Sequence, residues 1–347
     1  MPLDVAQRAI DFFFAQPPWN DWTLPQIYLT GGEPLLHWAL VEQCGQYAAS
    51  KKDQTAKEYR LVVNTNGVLL DQKKACSLQA MGADVILSCD GVQKAHDACR
   101  RRRTGDSTFA DTMQALRVLL ECVSNPAVCL VVSPENVRFL ADSIDMLLDK
   151  GIRRIIISPN FLGNWEQHHL NVWRQGYEHV AACFEEAYRR RDVLNINLFS
   201  AKIIAHLTGG RDPSDFCGLW PRRLAVAPSG RVYVCQIMVG DDDRDVGLVG
   251  NVWGSLNLRS ADMPLVCKRV RPQVCKDCEI ERRCRKYLWC GYRVSTGKFH
   301  RPDGLICWHE RTVIGLADKA ASRLFKEKNE SFLRTFYGGG TYSPELF

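Results

Sequence analysis

The chain has 347 residues, of which 46% are hydrophobic and 24% are charged, and its formal net charge is +6. This composition is typical of one large or two medium-sized globular domains and excludes a largely disordered chain. No apolar run approaches the roughly 18 residues of a membrane span, and the N-terminal residues lack a secretion signal's basic region, so we expect a cytoplasmic protein without membrane contacts.

Short β-branched runs alternate with longer amphipathic runs over most of the first 190 residues. The pattern predicts strands at 26–30, 59–64, 84–89, 128–132 and 153–158. It predicts helices at 5–16, 36–51, 71–81, 108–123, 137–150 and 172–190, several of which open on a capping Ser, Asp or Asn. Such alternation indicates right-handed βαβ units and a parallel sheet. Because the first element is a helix, the series begins in the middle of a unit.

Glycines and polar residues follow the predicted strands. The first strand runs into Gly31-Gly32-Glu33-Pro34, the second ends in VNTNG (63–67) and the third in LSCDG (87–91). Glycine lets the backbone turn sharply and approach a ligand, and α/β proteins bind ligands beyond the carboxyl ends of their strands. By itself, a Gly-Gly turn is more often a simple connection than a site.

The sequence changes in character after about residue 195, where short strands, turns and cysteines replace the alternation. RRLAVAPSGRVYVC (222–235) predicts a hairpin around Pro228-Ser229-Gly230. We therefore predict one domain at 1–200, a second at 201–325 and a C-terminal tail at 326–347, with disorder expected in its end, YGGGTYSPELF.

Two basic runs, CRRRRTGD (99–106) and YRRRD (188–192), raise the question of nucleic-acid binding. No aromatic-interleaved or groove-reading motif accompanies them. We interpret both runs as solvated helix ends and loops and expect no nucleic-acid partner.

Fifteen cysteines are many for a reducing compartment, where a disulfide framework is not expected. A dense group has the spacing Cys275-x2-Cys278-x5-Cys284-x5-Cys290, with Cys217 and Cys235 before it and Cys307 after it. Such spacing is typical of metal ligands, and it leaves zinc ribbons and iron–sulfur clusters both open. The cysteines within predicted helices and strands are expected to be small, buried apolar side chains; these are Cys44, Cys76, Cys89, Cys99, Cys122, Cys129 and Cys183.

Together these motifs resemble the radical S-adenosylmethionine (SAM) enzymes that carry a C-terminal SPASM extension. The resemblance implies an α/β fold, an incomplete (βα)6 partial barrel without its first strand, followed by a small cysteine-rich α+β SPASM domain. It assigns Gly31, Gly32 and Glu33 to the methionine amino group of SAM. It places Ser88 and Asp90 near the ribose and carboxylate, with Asn66 and Asn136 lining the pocket.

The resemblance also implies two auxiliary [4Fe-4S] clusters. One cluster would use Cys275, Cys278, Cys284 and Cys307, and the other would use Cys217, Cys235 and Cys290. The family usually has three residues between the third and fourth cysteines of the dense group, whereas this chain has five, so Cys290 fits the pattern less closely. The other cluster lacks a fourth cysteine. Either Asp212 or Asp215 supplies the missing ligand, or one iron is left open.

The family's defining Cys-x3-Cys-x2-Cys motif, which holds the SAM-reducing cluster, is absent from these 347 residues. Either the chain is N-terminally truncated or it is a naturally degenerate relative. An uncovered strand edge invites aggregation, which favours truncation. In both cases we expect that the chain alone does not cleave SAM, because the reducing iron has no ligands, and no catalytic residue is assigned.

For the intact parent, the resemblance implies an oxidoreductase that matures a peptide or protein. A 5′-deoxyadenosyl radical would abstract hydrogen from the substrate, and a small reductant protein such as flavodoxin or ferredoxin would supply electrons. Sulfatase-maturing relatives have an aspartate where this chain has Gln236, which favours ribosomal-peptide maturation instead. The alternatives are a non-catalytic iron–sulfur protein for electron transfer or peptide binding, and a zinc-ribbon scaffold.

Overall fold

A computed structural model of the chain describes residues 1–16, 24–210, 223–239, 247–254, 272–284, 296–297 and 301–338. The chain forms two compact units. The first, here called the sheet unit, comprises Trp22–Val41, Tyr59–Ile204 and Thr312–Phe347. The second, here called the cysteine-rich unit, comprises Met1–Asp21, Glu42–Glu58 and Ala205–Arg311. The predicted domain bounds at 200 and 325 stay a prediction, and the predicted disorder of 337–347 falls almost wholly on residues outside the described ones.

The sheet unit contains a parallel sheet of six strands, which are hydrogen-bonded in the order in which they occur along the chain. The strands are β1 Gln26–Leu29, β2 Arg60–Thr65, β3 Asp84–Ser88, β4 Ala127–Val132, β5 Arg154–Pro159 and β6 Asn195–Ile196. The five predicted strands and the parallel sheet are confirmed. The sixth strand was not predicted, because two residues are too few to show alternation. The partial barrel and its missing first strand stay predictions.

The helices cover most of the described chain outside the strands. They are α1 Leu3–Ala15, α2 Trp38–Thr55, α3 Gln72–Ala80, α4 Gln93–Cys99, α5 Phe109–Cys122, α6 Leu140–Asp149, α7 Gln167–Arg189, α8 Asn197–Leu207, α9 Gln273–Lys276, α10 Gly304–Lys326 and α11 Glu330–Tyr337. Single 3-10 turns occupy Pro34–His37, Val137–Phe139 and Gln236–Met238. The six predicted helices are confirmed, whereas α4, α8, α9, α10 and α11 were not predicted. Among the described helices, none combines the length and the apolar content that crossing a membrane demands.

The core of the sheet unit lies against both faces of its strands. Consecutive residues along β3, such as Ile86 and Leu87, are both buried, although successive side chains point to opposite faces. Strands buried on both faces are typical of parallel sheets that helices cover. For this reason the strand sequences are continuous apolar runs and do not alternate between apolar and polar residues.

The C-terminal helix α11 packs within the sheet unit. The rings of Phe332 and Tyr188 meet edge to face, with centroids 5.7 Å apart. Asn329 caps the helix by accepting a hydrogen bond from the backbone N–H of Phe332 at 2.9 Å, and its amide donates to the carbonyl of Tyr188 at 3.0 Å. The segment predicted as a tail from residue 326 therefore contains a packed, capped helix.

The cysteine-rich unit contains a three-stranded antiparallel sheet, β7 Ala225–Val226, β8 Arg231–Tyr233 and β9 Leu248–Asn251. The predicted hairpin is confirmed, because β7 and β8 pair across the Pro228-Ser229-Gly230 turn. A small apolar core built around Val232, Tyr233 and Val249 stabilises the sheet.

Candidate functional site

All seven residues assigned to SAM lie at one edge of the parallel sheet. Gly31, Gly32 and Glu33 follow β1, Asn66 follows β2, Ser88 ends β3, Asp90 follows it, and Asn136 follows β4. Because these four strands are parallel neighbours, their carboxyl ends meet at the same edge, here called the carboxyl edge. In open α/β sheets this edge is where ligands bind.

Glu33 connects the ends of the first two strands. Its Oε1 accepts hydrogen bonds from the hydroxyl of Thr65 at 2.7 Å and from the backbone N–H of Leu35 at 3.0 Å. Its Oε2 accepts from the backbone N–H of Asn66 at 2.7 Å. Bonds to a charged acceptor are stronger than neutral ones, so this carboxylate holds the glycine turn against the end of β2.

The glycine turn leaves open space at its surface. Gly31 has φ +137°, a backbone conformation that residues other than glycine rarely adopt. No heavy atom lies within 4 Å of the position that a Cβ would occupy at either Gly31 or Gly32. Both residues are exposed, so the backbone of the turn is accessible to a ligand.

The ends of β2 and β3 are joined by side chains as well. The hydroxyl of Ser88 donates to Oδ1 of Asn64 at 3.2 Å. Asn66 folds back on its own turn, since its Oδ1 accepts from the backbone N–H of Val68 at 2.9 Å. Ser88 and Asn66 are both half-buried, at the boundary between the sheet and solvent.

Asp90 is 2% exposed and its carboxylate is heavily engaged. Arg100 donates to both oxygens, at 2.8 Å from Nε and 3.1 Å from Nη2, and the backbone N–H of Val131 donates at 2.8 Å. Burial opposes the charge of Arg100, yet the attraction of Asp90 leaves the pKa of Arg100 raised. The interpretation of 99–106 as a solvated run is therefore wrong for Arg100, which is a half-buried partner of Asp90.

Asn136 is buried and fixes the turn after β4. Its Oδ1 accepts from the backbone N–H of Ser133 at 2.9 Å, and its Nδ2 donates to the carbonyl of Val131 at 2.8 Å. The same amide lies 3.6 Å from Sγ of Cys99. Within the described residues, the side chain of Asn136 thus orders the carboxyl edge.

Sequence reasoning missed two residues that organise this edge, Thr65 and Arg100. Thr65 lies inside the quoted VNTNG motif, but nothing in the motif distinguishes its buried hydroxyl from an ordinary strand threonine. Arg100 was hidden in a run of four arginines. Only the fold shows that the first arginine of that run faces a buried carboxylate.

The four cysteines proposed for one cluster all lie in described parts of the cysteine-rich unit. Cys275 is in the short helix α9, Cys278 and Cys284 are in the turns after it, and Cys307 lies in the first turn of α10. Burial, and then the charges of Cys275 and Cys278, raise the pKa of Cys307. Arg311 Nη2 donates to Sγ of Cys278 at 3.4 Å.

These four thiols are not arranged for one metal ion. Within the described chain, no three of them have sulfurs within 4.8 Å of one another. Cys235 precedes the 3-10 turn Gln236–Met238, and Oε1 of Gln236 accepts from Arg223 at 3.4 Å. Cys217 and Cys290, like the alternatives Asp212 and Asp215, lie outside the described residues.

The remaining cysteines differ in their exposure. Cys44 and Cys89 are buried as predicted, and burial raises the pKa of Cys89 to about 11, which keeps it a neutral thiol. The prediction of burial is wrong for Cys76 and Cys99, which are exposed, since helical periodicity did not identify their faces. Cys122, Cys129 and Cys183 are half-buried.

The chain is similar to known proteins in both sequence and fold. Residues 19–147 match the model of the Radical SAM superfamily, so this part of the chain is a radical SAM domain. The solved structure of native anSMEcpe with bound AdoMet is 17% identical, with a TM-score of 0.75 over 95% of this chain and 90% of that chain. The same protein is also solved with AdoMet and Kp18Cys peptide, at a TM-score of 0.74. At this identity the likeness shows the fold.

Two curated relatives match shorter stretches. An uncharacterised protein of Methanocaldococcus jannaschii is 26% identical over 172 residues, which is 50% of this chain and 57% of that protein. The Fe-coproporphyrin III synthase of Methanosarcina barkeri is 28% identical over 132 residues, which is 38% of this chain and 31% of that enzyme. Each match therefore spans less than two thirds of the relative.

Proposed function

We propose that this chain, with its radical SAM domain at residues 19–147, is the SAM-binding and auxiliary-cluster part of a peptide or protein maturase. The observation that carries the proposal is the open glycine turn at the carboxyl edge, held there by Glu33. Because the chain contains no Cys-x3-Cys-x2-Cys, we propose that it does not cleave SAM by itself.

The residues at the carboxyl edge fit SAM. The space beside Gly31 and Gly32 admits a ligand close to the backbone, where a side chain would obstruct it. Glu33 brings a negative charge next to the turn and suits the ammonium group of the methionine part. When bound and reduced, SAM supplies a carbon radical that takes a hydrogen atom from the substrate.

The other residues of the edge orient the cofactor in this proposal. The hydroxyl of Ser88 and the amide of Asn66 offer hydrogen bonds to the ribose side. Asp90 accepts three hydrogen bonds, while a carboxylate has about four acceptor positions, so it is mainly a positioning residue for Arg100 and the end of β4. Asn136 fixes the turn that closes this side.

The thiols of the cysteine-rich unit fit a multi-iron cluster better than one zinc ion. A tetrahedral zinc ion would bring its four sulfurs within about 3.8 Å of one another. Among the described residues, no three of Cys275, Cys278, Cys284 and Cys307 have sulfurs within 4.8 Å of one another, which supports a [4Fe-4S] cluster, whose irons each take a separate thiolate. The second cluster, on Cys217, Cys235 and Cys290, is proposed from the resemblance to the SPASM extension alone. The clusters would accept or donate single electrons.

A peptide or protein is the proposed substrate, with flavodoxin or ferredoxin as the reductant. The structure of anSMEcpe with bound AdoMet and Kp18Cys peptide supports a peptide substrate, because its fold covers 95% of this chain. Gln236, beside Cys235, cannot act as a base, and this disfavours chemistry that begins by deprotonating a substrate hydroxyl or thiol at that position.

SAM binding tests the proposal directly. Equilibrium dialysis of the full chain with SAM should give one bound molecule per chain. Gly32→Ala should weaken this binding at least tenfold, since the methyl group enters the space that SAM needs. An unchanged affinity in Gly32→Ala, or no SAM binding by the wild type, would reject the assignment of the carboxyl edge.

Anaerobic metal analysis separates the cluster proposal from its alternatives. About eight irons and eight sulfides per chain are expected for two [4Fe-4S] clusters. Cys307→Ser should remove about half of the iron, whereas the exposed Cys76→Ser should not change it. Zinc in place of iron would favour the zinc-ribbon scaffold. Formation of 5′-deoxyadenosine from SAM and dithionite by this chain alone would contradict its proposed incompetence.

A further inference from the structure

A cluster of three side chains of metal-binding types lies in the sheet unit, outside the residues proposed to bind SAM or the clusters. Asp145 lies on α6, and His179 and Cys183 lie four residues apart on α7. One ligand atom from each falls within 4.8 Å of the other two, the one such His, Cys, Asp or Glu group found among the described residues. Residues four apart share a helix face, so α7 turns both toward α6.

We propose that Asp145, His179 and Cys183 bind one divalent transition-metal ion, with Zn²⁺ as the best-fitting ion. A carboxylate, an imidazole and a thiolate are together the donor set that zinc takes in proteins. Asp145 is exposed, so the fourth position of a tetrahedron is open to water.

The distances between the donors agree with this geometry. Zn–S of about 2.3 Å and Zn–N or Zn–O of about 2.1 Å in a tetrahedron place ligand atoms about 3.4–3.6 Å apart. Sγ of Cys183 lies 3.4 Å from Nε2 of His179 and 3.6 Å from Oδ1 of Asp145. The third pair, Nε2 of His179 and Oδ1 of Asp145, is 2.7 Å apart, a hydrogen bond that lengthens when the metal replaces its proton.

The proton balance is simple. The thiol of Cys183 releases its proton to solvent as the Zn–S bond forms. The proton in the hydrogen bond between Nε2 of His179 and Asp145 moves to Nδ1 of the same ring, so Nε2 presents its lone pair to the metal and one proton in total is released. No electron is transferred.

The surface around the cluster favours a cation. An open depression beside it is lined by Asp142, Asp145 and Asp149, with Met146 and Lys150. Three carboxylates against one ammonium concentrate positive ions locally. The donors also come from two helices, so the ion would join α6 to α7 rather than occupy a flexible loop.

Zinc and cobalt titrations of the full chain under anaerobic conditions test the proposal. With Zn²⁺ and a chromophoric competitor, wild-type chain should bind one more equivalent than Cys183→Ser. Asp145→Asn should lower the affinity for this additional Zn²⁺ ion at least tenfold. Asp142→Asn is the matched control, because it removes a carboxylate from the same helix and depression without removing a ligand, and it should change affinity by less than threefold.

Co²⁺ gives a second readout that does not depend on stoichiometry. The absorption spectrum of the Co²⁺-loaded wild type, after subtraction of the Cys183→Ser spectrum, should show a thiolate-to-cobalt charge-transfer band and the strong visible bands of a tetrahedral site. Equal Zn²⁺ stoichiometry and affinity in wild type and Cys183→Ser would overturn the proposal, and so would an unchanged affinity in Asp145→Asn. If circular dichroism shows that Cys183→Ser does not fold, the Zn²⁺ affinity of Asp145→Asn, a substitution at an exposed position, tests the proposal in its place.

Discussion

The carboxylate of Glu33 and the hydroxyl of Thr65 lie 2.7 Å apart, joining the turn after β1 to the last residue of β2. Thr65 is 1% exposed, and its Oγ1 also accepts from the backbone N–H of Gly67 at 3.0 Å. One buried hydroxyl thus donates to Glu33 and accepts from the next turn. The position of the proposed SAM-binding turn depends on it.

Replacing Thr65 with valine should destabilise the chain by about 1–3 kcal/mol, the usual cost of leaving a buried or charged partner without its hydrogen bond. Valine keeps the shape of the side chain, so packing changes little. Urea denaturation followed by circular dichroism measures the change. Thr104→Val is the control, because Thr104 also donates to a carboxylate, Asp106, at 2.7 Å but is exposed. Equal effects of the two substitutions would contradict a special role of Thr65.

Gly31→Ala should be destabilising by about 1–3 kcal/mol, because φ +137° is strained for any residue with a Cβ. The cause is backbone strain alone, since the Cβ position is open. Gly32→Ala supplies the comparison. Its Cβ position is equally open and its φ is not in the positive range, so its thermal midpoint should stay close to that of the wild type. A thermal scan of both variants checks the contrast, and a Gly31→Ala variant as stable as Gly32→Ala would show that the turn relaxes freely.

The sequence predicted those features of the carboxyl edge that depend on local signals. The strands, the Gly-Gly turn and the order of GGEP, VNTNG and LSCDG predicted that these residues would share one edge, because parallel neighbouring strands leave no other arrangement. The partners of their side chains were not predictable. Arg100 meets Asp90 across a helix, and Asp145 meets His179 and Cys183 from a helix more than thirty residues away; no local pattern encodes either contact. Burial of Cys76 was wrongly expected for the same reason.

The Asp90–Arg100 pair provides a stability test. Asp90→Asn leaves a half-buried guanidinium with a neutral partner, and breaking a buried pair from one side costs about 3–5 kcal/mol. Chemical denaturation should therefore show a large fall in the free energy of unfolding. Asp111→Asn is the matched control, since Asp111 pairs with Arg102 at 2.7 Å where both side chains are exposed. That change should cost less than about 1 kcal/mol. Similar losses in the two variants would argue that the Asp90 pair is no more than a surface contact.

The packing of α11 predicts that the C-terminal segment is part of the folded sheet unit. Phe332 is 0% exposed and meets Tyr188, so Phe332→Ala should cost about 3–5 kcal/mol. Phe325 offers a control of the same type, because it is 52% exposed and its replacement by alanine should cost less than about 1 kcal/mol. Thermal unfolding of both variants gives the comparison. If Phe332→Ala melts with the wild type, α11 contributes nothing to the stability of the unit.

The proposed zinc site predicts a specific dependence on pH. Burial, and then the negative charge of Asp145 on α6, raise the pKa of Cys183 to about 12, so the free thiol is protonated throughout the physiological range. Zn²⁺ binds the thiolate and must displace that proton. Below pH 12, affinity should therefore rise about tenfold per pH unit, one proton leaving per ion.

Competition titrations at pH 7.0, 7.5 and 8.0 measure the slope. Cys183→Ser has no proton to release, so its residual binding should be nearly flat over the same range. A flat wild-type profile would mean that the sulfur of Cys183 does not bind the ion.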